Sequence, residues 1–265
     1  HARAMRSVCL LALLQCLPCA YGLTIPEAKL ALRTALQAHG GSTKELPVKE
    51  AVEALSALCP SEAPARDQGL LGAWTQINSP EYSGGTQNAD GTFDYTLGRL
   101  SFGIFEPKDL MCTLGPIGNP LKASEVEGTI EYEIQVPMSI NIEDGPPMTA
   151  ELLNFATCSA ASDERLTVEF SGGVLQPTGE CDREAWRKTF GPALAAKPGK
   201  RARLMDWLLG KMMGLVKPKE MSDGDEMRYQ MTKAPKGYLD VLYLDDELRI
   251  TRGNRGSLVV CERQQ

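Results

Sequence analysis

The chain has 265 residues, 43% hydrophobic and 23% charged, with 28 basic against 34 acidic side chains for a formal charge of −6. That length suits one large β-barrel or two small domains, and the composition is that of a globular chain with a buried core. The acidic balance argues against nucleic acid as a partner, since nucleic-acid binding calls for a broad basic surface.

The first 22 residues read as a leader. Met5–Arg6 gives a positive start, Val8–Leu17 an apolar run too short to span a bilayer, and Pro18–Gly22 a small-residue end suited to cleavage after Gly22. The four residues ahead of Met5 are not expected to be native coding sequence. Cys16 and Cys19 are spaced C-x-x-C but fall inside the leader, so they are not read as a metal or redox motif. Cys59, Cys112, Cys158, Cys181 and Cys261 remain, an odd and scattered set that outlines no disulfide framework, although one unspecified pair stays open.

A single domain is expected over 23–265, with a helical lead-in at 24–60, barrel strands within 68–180 and 226–263, and an insertion at 181–225. Thr24-Ile-Pro-Glu27 has the form of a capping box, Leu32 and Leu36 share a face, and Gly40-Gly41 stops that helix. Pro47 suits the first turn of a second helix, along which Val48, Val52, Leu55 and Cys59 stack before Pro60. Both apolar stripes are expected to pack on the rest of the domain.

From Leu70 the pattern changes to short extended runs punctuated by Gly, Pro, Asn and Asp. Strands are expected at Leu71–Asn78, Thr92–Leu97, Arg99–Phe105, Glu127–Val136, Arg165–Ser171, Glu226–Met231, Tyr238–Leu244, Glu247–Arg252 and Ser257–Glu262. Many short strands between turn signals indicate an antiparallel sandwich or barrel rather than a parallel α/β fold. The last three form a meander, joined by Asp245-Asp246 and by Gly253-Asn254-Arg255-Gly256.

Lys197–Lys219 stands out within the acidic chain. Lys197, Lys200, Arg201, Arg203, Lys211, Lys217 and Lys219 are opposed only by Asp206, and apolar residues with Trp207 lie between the basic ends. Two readings fit. A helix here lies on an anionic membrane surface through Leu204, Trp207, Leu208, Lys211, Met212 and Leu215, or it packs across one barrel mouth with its lysines in water.

The run GYLDVLYLDDELRITRGNRGSLVVCER, Gly237 to Arg263, resembles the C-terminal signature of the plastid lipid-associated protein family, the fibrillins. ALRTALQAHGGS and VKEAVEALSALCP are similar to the family's paired leading helices, and LLGAWTQINSP resembles its first strand. SDERLTVEFSGGVLQP, Ser162 to Pro177, matches more loosely. The basic insertion departs from the family, whose corresponding link is usually shorter. The resemblance covers most of Pro26–Gln265 and implies a mainly β fold, an antiparallel calycin-like barrel that binds hydrophobic small molecules. It further implies association with thylakoids or plastid lipid droplets, ligands such as isoprenoid quinones, carotenoids or acyl lipids, and no catalytic residues or cofactor.

The residues agree on one point. Gly72-Ala73-Trp74 has the G-x-W form that opens lipocalin-type barrels, where the indole closes one end under a basic side chain, here Arg249 or Arg252. An ordinary core tryptophan beside a tight turn is the plainer reading. A barrel of about eight strands holds one small apolar ligand. The wall candidates are Trp74, Ile77, Phe102, Ile104, Tyr132, Ile134, Val168 and Phe170, each of which could equally fill a closed core.

Catalytic machinery is sparse. His1 and His39 are the only histidines, so neither a zinc cluster nor a Ser-His-Asp arrangement is expected. Gly115–Gly118 and Gly253–Gly256 match no phosphate loop, and the acidic clusters Asp223–Glu226 and Asp245–Glu247 suit solvated turns. Three functions stand in order: a non-catalytic lipid binder, a structural subunit of a photosynthetic membrane assembly, and a lipid-modifying calycin-fold enzyme. The leader combined with the family resemblance points to a plastid reached through the secretory route, as in an alga with a complex plastid. Secreted or endomembrane residence is the alternative.

Overall fold

The computed structural model describes residues 22–143, 145–196, 199–233 and 236–264. The expected leader, with its Cys16–Cys19 pair, lies outside the described residues save for Gly22, and so does Lys197.

Two helices lead. In α1 (Ile25–Ala38) the Glu27 carboxylate accepts from the Thr24 N–H at 2.9 Å and the Thr24 hydroxyl at 2.7 Å, tying down the first turn. Gly40 and Gly41 end it with φ of 59° and 79°, a conformation that favours glycine. In α2 (Leu46–Ser56) Pro47 sits in the first turn. Ala28, Leu32 and Leu36 pack with Val48, Val52 and Leu55, and the pair covers Tyr243, Leu248, Ile250, Leu258 and Val260. Lys29, itself buried, ties α1 to the sheet through Asp245 at 2.5 Å and Glu247 at 2.9 Å.

The strands follow as β1 (Trp74–Gln76), β2 (Thr86–Gln87), β3 (Phe93–Thr96), β4 (Met111–Leu114), β5 (Leu121–Ala123), β6 (Thr129–Ile140), β7 (Met148–Ala160) and β8 (Arg165–Pro177). A short helix α3 (Leu97–Leu100) follows β3. After β8 come α4 (Arg183–Ala195), α5 (Lys200–Met213), β9 (Leu215–Val216), β10 (Met227–Met231), β11 (Lys236–Leu244), β12 (Leu248–Gly253) and β13 (Leu258–Arg263). Every pairing is antiparallel, in the order β1-β13-β12-β11-β8-β7-β6-β4-β3-β2, with β5 on β6, β10 on β8 and β9 on β10. The protein is therefore mainly β, as expected, but among the described residues the ladder holds thirteen strands rather than about eight, and its end strands β1 and β2 do not pair with each other. Beyond the ladder, isolated bridges join Gly72 to Leu121, Thr75 to Gly118 and Gly118 to Gln135.

The sheet divides at Gly172-Gly173. Along one side β8 pairs with β7 throughout; along the other it pairs with β11 up to Glu169 and with β10 from Gly172. A Cβ on Gly172 would lie 2.4 Å from the Tyr229 carbonyl oxygen, and one on Gly173 2.2 Å from that of Leu153. Glycine at 172 lets β10 come this close and glycine at 173 lets β7 do so, and at this point β8 exchanges β11 for β10 as its partner. The long strands serve both. On β6, Ile130 and Tyr132 face one core, Val136, Met138 and Ile140 face another, and Ile134 touches both.

Other differences have local causes. Arg99–Phe105 is not a strand: Leu97 and Gly98 donate to the carbonyls of Leu110 and Lys108, which folds the chain into α3 and a turn. Phe102 consequently sits at φ 52° and is 83% exposed. β7 and α4 have no counterpart among the expected elements. The Ala, Leu, Glu and Met residues of β7 are good helix formers, and its two long flanking strands override that preference. In α4 the Asp182 carboxylate caps the Glu184 and Ala185 amides at 2.9 and 3.0 Å, and Trp186 and Phe190 are buried.

Candidate ligand-binding site

One core gathers around Trp74, with Leu121, Tyr132, Ala156, Cys158, Leu166, Val168, Val241, Leu244 and Cys261. The Trp74 ring is 1% exposed and its Nε1–H donates to the Leu70 carbonyl at 2.9 Å. Arg263 stands over the ring at 4.1 Å and donates to the carbonyls of Asp246, Leu71 and Gly69. This explains the glycine of the G-x-W run. Gly72 has φ 134°, and a Cβ there would lie 2.4 Å from Arg263 Nη1.

Arg249 also stands over the Trp74 ring, at 5.0 Å, and is only 3% exposed. Its Nη2 donates to the Asn119 carbonyl at 3.2 Å and contacts Cys261 Sγ at 3.6 Å. The Tyr132 hydroxyl donates to Asn119 Oδ1 at 2.7 Å. Arg249 Nε and Nη1 and Asn119 Nδ2 have no partner, and none of the described ion pairs includes Arg249. A buried guanidinium charge without a counterion costs several kcal/mol. The neighbouring thiols do not supply one. Burial pushes Cys158 up to about 12 against the pull of Arg249, and burial likewise raises Cys261 and the Tyr132 phenol, so all three stay neutral near pH 7.

The wall candidates divide. Trp74, Tyr132 and Val168 are buried in this core, with Ile134 and Phe170 partly buried against it. Ile77 instead lies on the outer face, beneath the helices. The period of two along β1 requires this, because residues three apart point to opposite faces. Ile104 belongs to the second core, and Phe102 lines neither. Of the two arginines named for the indole, Arg249 reaches it, whereas Arg252 lies nearer the other end of β12, opposite Leu258. Arg263 and Asn119 were missed. Their approach depends on how β13 and residues 117–121 meet β1, which no local pattern announces.

On α5, Leu204, Trp207, Leu208 and Met212 are 59%, 58%, 37% and 71% exposed, and Lys211 Nζ stands 5.1 Å from the Trp207 ring. Leu215, in β9, packs against the second core and does not share that surface. No helix of the described residues is long and apolar enough to cross a membrane, and no metal-ligand cluster occurs among them.

No curated protein and no solved structure matched the chain. The PAP_fibrillin family model matches residues 118–262, more than half of the chain. The match starts next to Asn119 and runs through β5 to β12 and nearly all of β13, taking in Tyr132, Cys158, Arg249 and Cys261. The chain therefore belongs to the plastid lipid-associated protein/fibrillin family.

Proposed function

We propose that this protein is a non-catalytic binder of a hydrophobic small molecule, an isoprenoid quinone or acyl lipid ahead of a carotenoid, working at thylakoid or lipid-droplet surfaces in a plastid. The reading treats β1, β13, β12, β11, β8, β7, β6 and residues 117–123 as a calycin-like barrel with its ligand around Trp74. The bridges of Gly72 to Leu121 and Thr75 to Gly118 support closure, as do the Gln76 N–H to the Ile117 carbonyl at 2.9 Å and the Asn119 N–H to the Trp74 carbonyl at 2.7 Å. Lipid association is the family's character.

The observation that carries the proposal is the set of unpartnered donors, Arg249 Nε and Nη1 and Asn119 Nδ2, within an otherwise apolar core. Such donors suit an acceptor oxygen at the end of a greasy molecule, a quinone carbonyl or a carboxylate, and a pure hydrocarbon leaves them unmet.

Titrating delipidated protein with a prenylquinone should quench tryptophan fluorescence to saturation, with near-equal stoichiometry. Arg249→Met should weaken that binding at least tenfold and leave any β-carotene binding unchanged. Absence of quenching in the wild type, together with no lipid in mass spectra of extracts from native protein, would sink the reading.

A further inference from the structure

α5 presents a surface that no other described residue covers. Leu204, Trp207, Leu208, Lys211 and Met212 are spaced i, i+3, i+4, i+7 and i+8, which places them on one helical face. The four apolar members are all exposed, and the helix packs mainly on the short strand β9. This face lacks the burial that a helix stripe normally finds, in contrast to α1 and α2, whose stripes are covered by each other and by the sheet.

The charge around the face is as distinctive as its apolarity. Lys200, Arg201 and Arg203 lie in its first turn and Lys211 on the stripe itself, in a chain of net charge −6. Lys211 holds its ammonium over the Trp207 ring, 5.1 Å from its centroid, so a cation lies directly beside the indole. An apolar stripe with an indole and cations beside it is complementary to the boundary between acyl chains and anionic headgroups.

At the root of α5 lies a cavity of about 580 Å³. Gly199, which precedes the helix, and Leu215, which follows it, both line it. Its walls are largely apolar, with Ile104, Phe105, Leu194, Val216 and Met227 among them, and Glu106, Lys217 and Lys219 add charged residues. The volume falls within the range of small-molecule pockets, and the two residues that flank α5 form part of its wall. This cavity is formed by the second core's elements and is separate from the Trp74 core.

We propose that α5 docks the protein on an anionic bilayer and that the cavity at its root takes one hydrocarbon chain from that bilayer. The stripe residues enter the headgroup boundary, and Arg203 and Lys211 meet the lipid charge. The cavity mouth is thereby held where a chain passes from bilayer to protein without crossing water. The proposal stands apart from whatever the Trp74 core holds.

The test is flotation of the full chain with phosphatidylcholine vesicles containing about one-third phosphatidylglycerol, against pure phosphatidylcholine vesicles. The bound fraction should be at least tenfold higher on the anionic vesicles. The Trp207→Glu, Leu208→Glu double variant should lose at least tenfold of that binding, and Lys211→Glu a smaller part, with unchanged thermal melts because these side chains are exposed. Quinone quenching should be unaffected by the double variant, so failure here and failure of the quinone reading are separately visible. Equal flotation of wild type and double variant would overturn the docking, as would a change in oligomeric state without vesicle binding. For the cavity, Ala193→Trp should leave flotation intact and abolish uptake of an NBD-labelled acyl chain from the vesicles. Undiminished uptake would remove the cavity from the proposal.

Discussion

The two cores that share β6, β7 and β8 differ in what completes them. The core of β3, β4, β10 and the outer halves of β6–β8 is finished by the chain itself. α4 places Trp186 and Phe190 into it with rings 4.4 Å apart, the Trp186 Nε1–H donates to the Asp225 carbonyl at 3.0 Å, and the Tyr229 hydroxyl donates to Asn154 at 2.7 Å. The core around Trp74 is finished by the chain only at the indole, where Arg263 spends its donors on three backbone carbonyls. Deeper in, all the unpartnered buried side-chain donors among the described residues gather on Arg249 and Asn119. One core meets its own polar groups and opens only at the cavity beside α5; the other leaves buried donors unpaired.

The largest effect that separates them should come from Trp186→Ala. Removing a fully buried indole should cost about 4 kcal/mol, read as a lowered urea midpoint, while the affinity for quinone stays within twofold of the wild type. A matching loss of quinone affinity would mean that the two cores act as one.

Asn119→Asp makes the opposite test on the other side. A carboxylate beside Arg249 supplies the missing counter-charge, so the variant should gain about 2 kcal/mol of stability. It should also lose roughly tenfold in quinone affinity, because the donors are now engaged. A destabilised variant would show that the donors around Arg249 lack nothing.

The smallest effect is alkaline. Burial pushes one thiol in each core up to about 12, Cys112 with help from Asp94 and Cys158 against the pull of Arg249, from an ordinary value of 9. Below pH 9 both thiols are protonated folded and unfolded, and stability is full. As pH rises from 9 toward 12 the unfolded chain releases these protons first, and stability falls, by about 1.4 kcal/mol per thiol at pH 10. Cys112→Ala and Cys158→Ala should each flatten the pH dependence of the denaturant midpoint. Arg249→Met should raise the Cys158 thiol further and leave Cys112 unmoved; an equal response of both thiols would contradict the separation of the cores.

The sequence was most readable where structure is local. The closing meander β11–β13 falls where Asp245-Asp246 and Gly253–Gly256 put its turns, and Glu27 and Gly40-Gly41 bound the first helix as their chemistry requires. Ile77 was misplaced although the alternation from Trp74 already put it on the far face. Phe102 was misplaced for a reason outside its own segment, the clamp of Leu97 and Gly98 onto residues 108–110. β7 was invisible because its residues favour a helix and only its partners make it a strand.

By itself the sequence determined the β-rich class, the leading helices, the closing meander, the family and the unusual basic apolar stretch, because each rests on residue type and short spacing. Tertiary structure alone decided that β8 changes partner at Gly172-Gly173, that Trp74 takes Arg249 and Arg263 rather than Arg252, and that Arg249 has no counter-charge among the described residues. Those outcomes depend on which distant backbones meet, such as β13 and residues 117–121 against β1, and no short-range pattern encodes a meeting across that much chain.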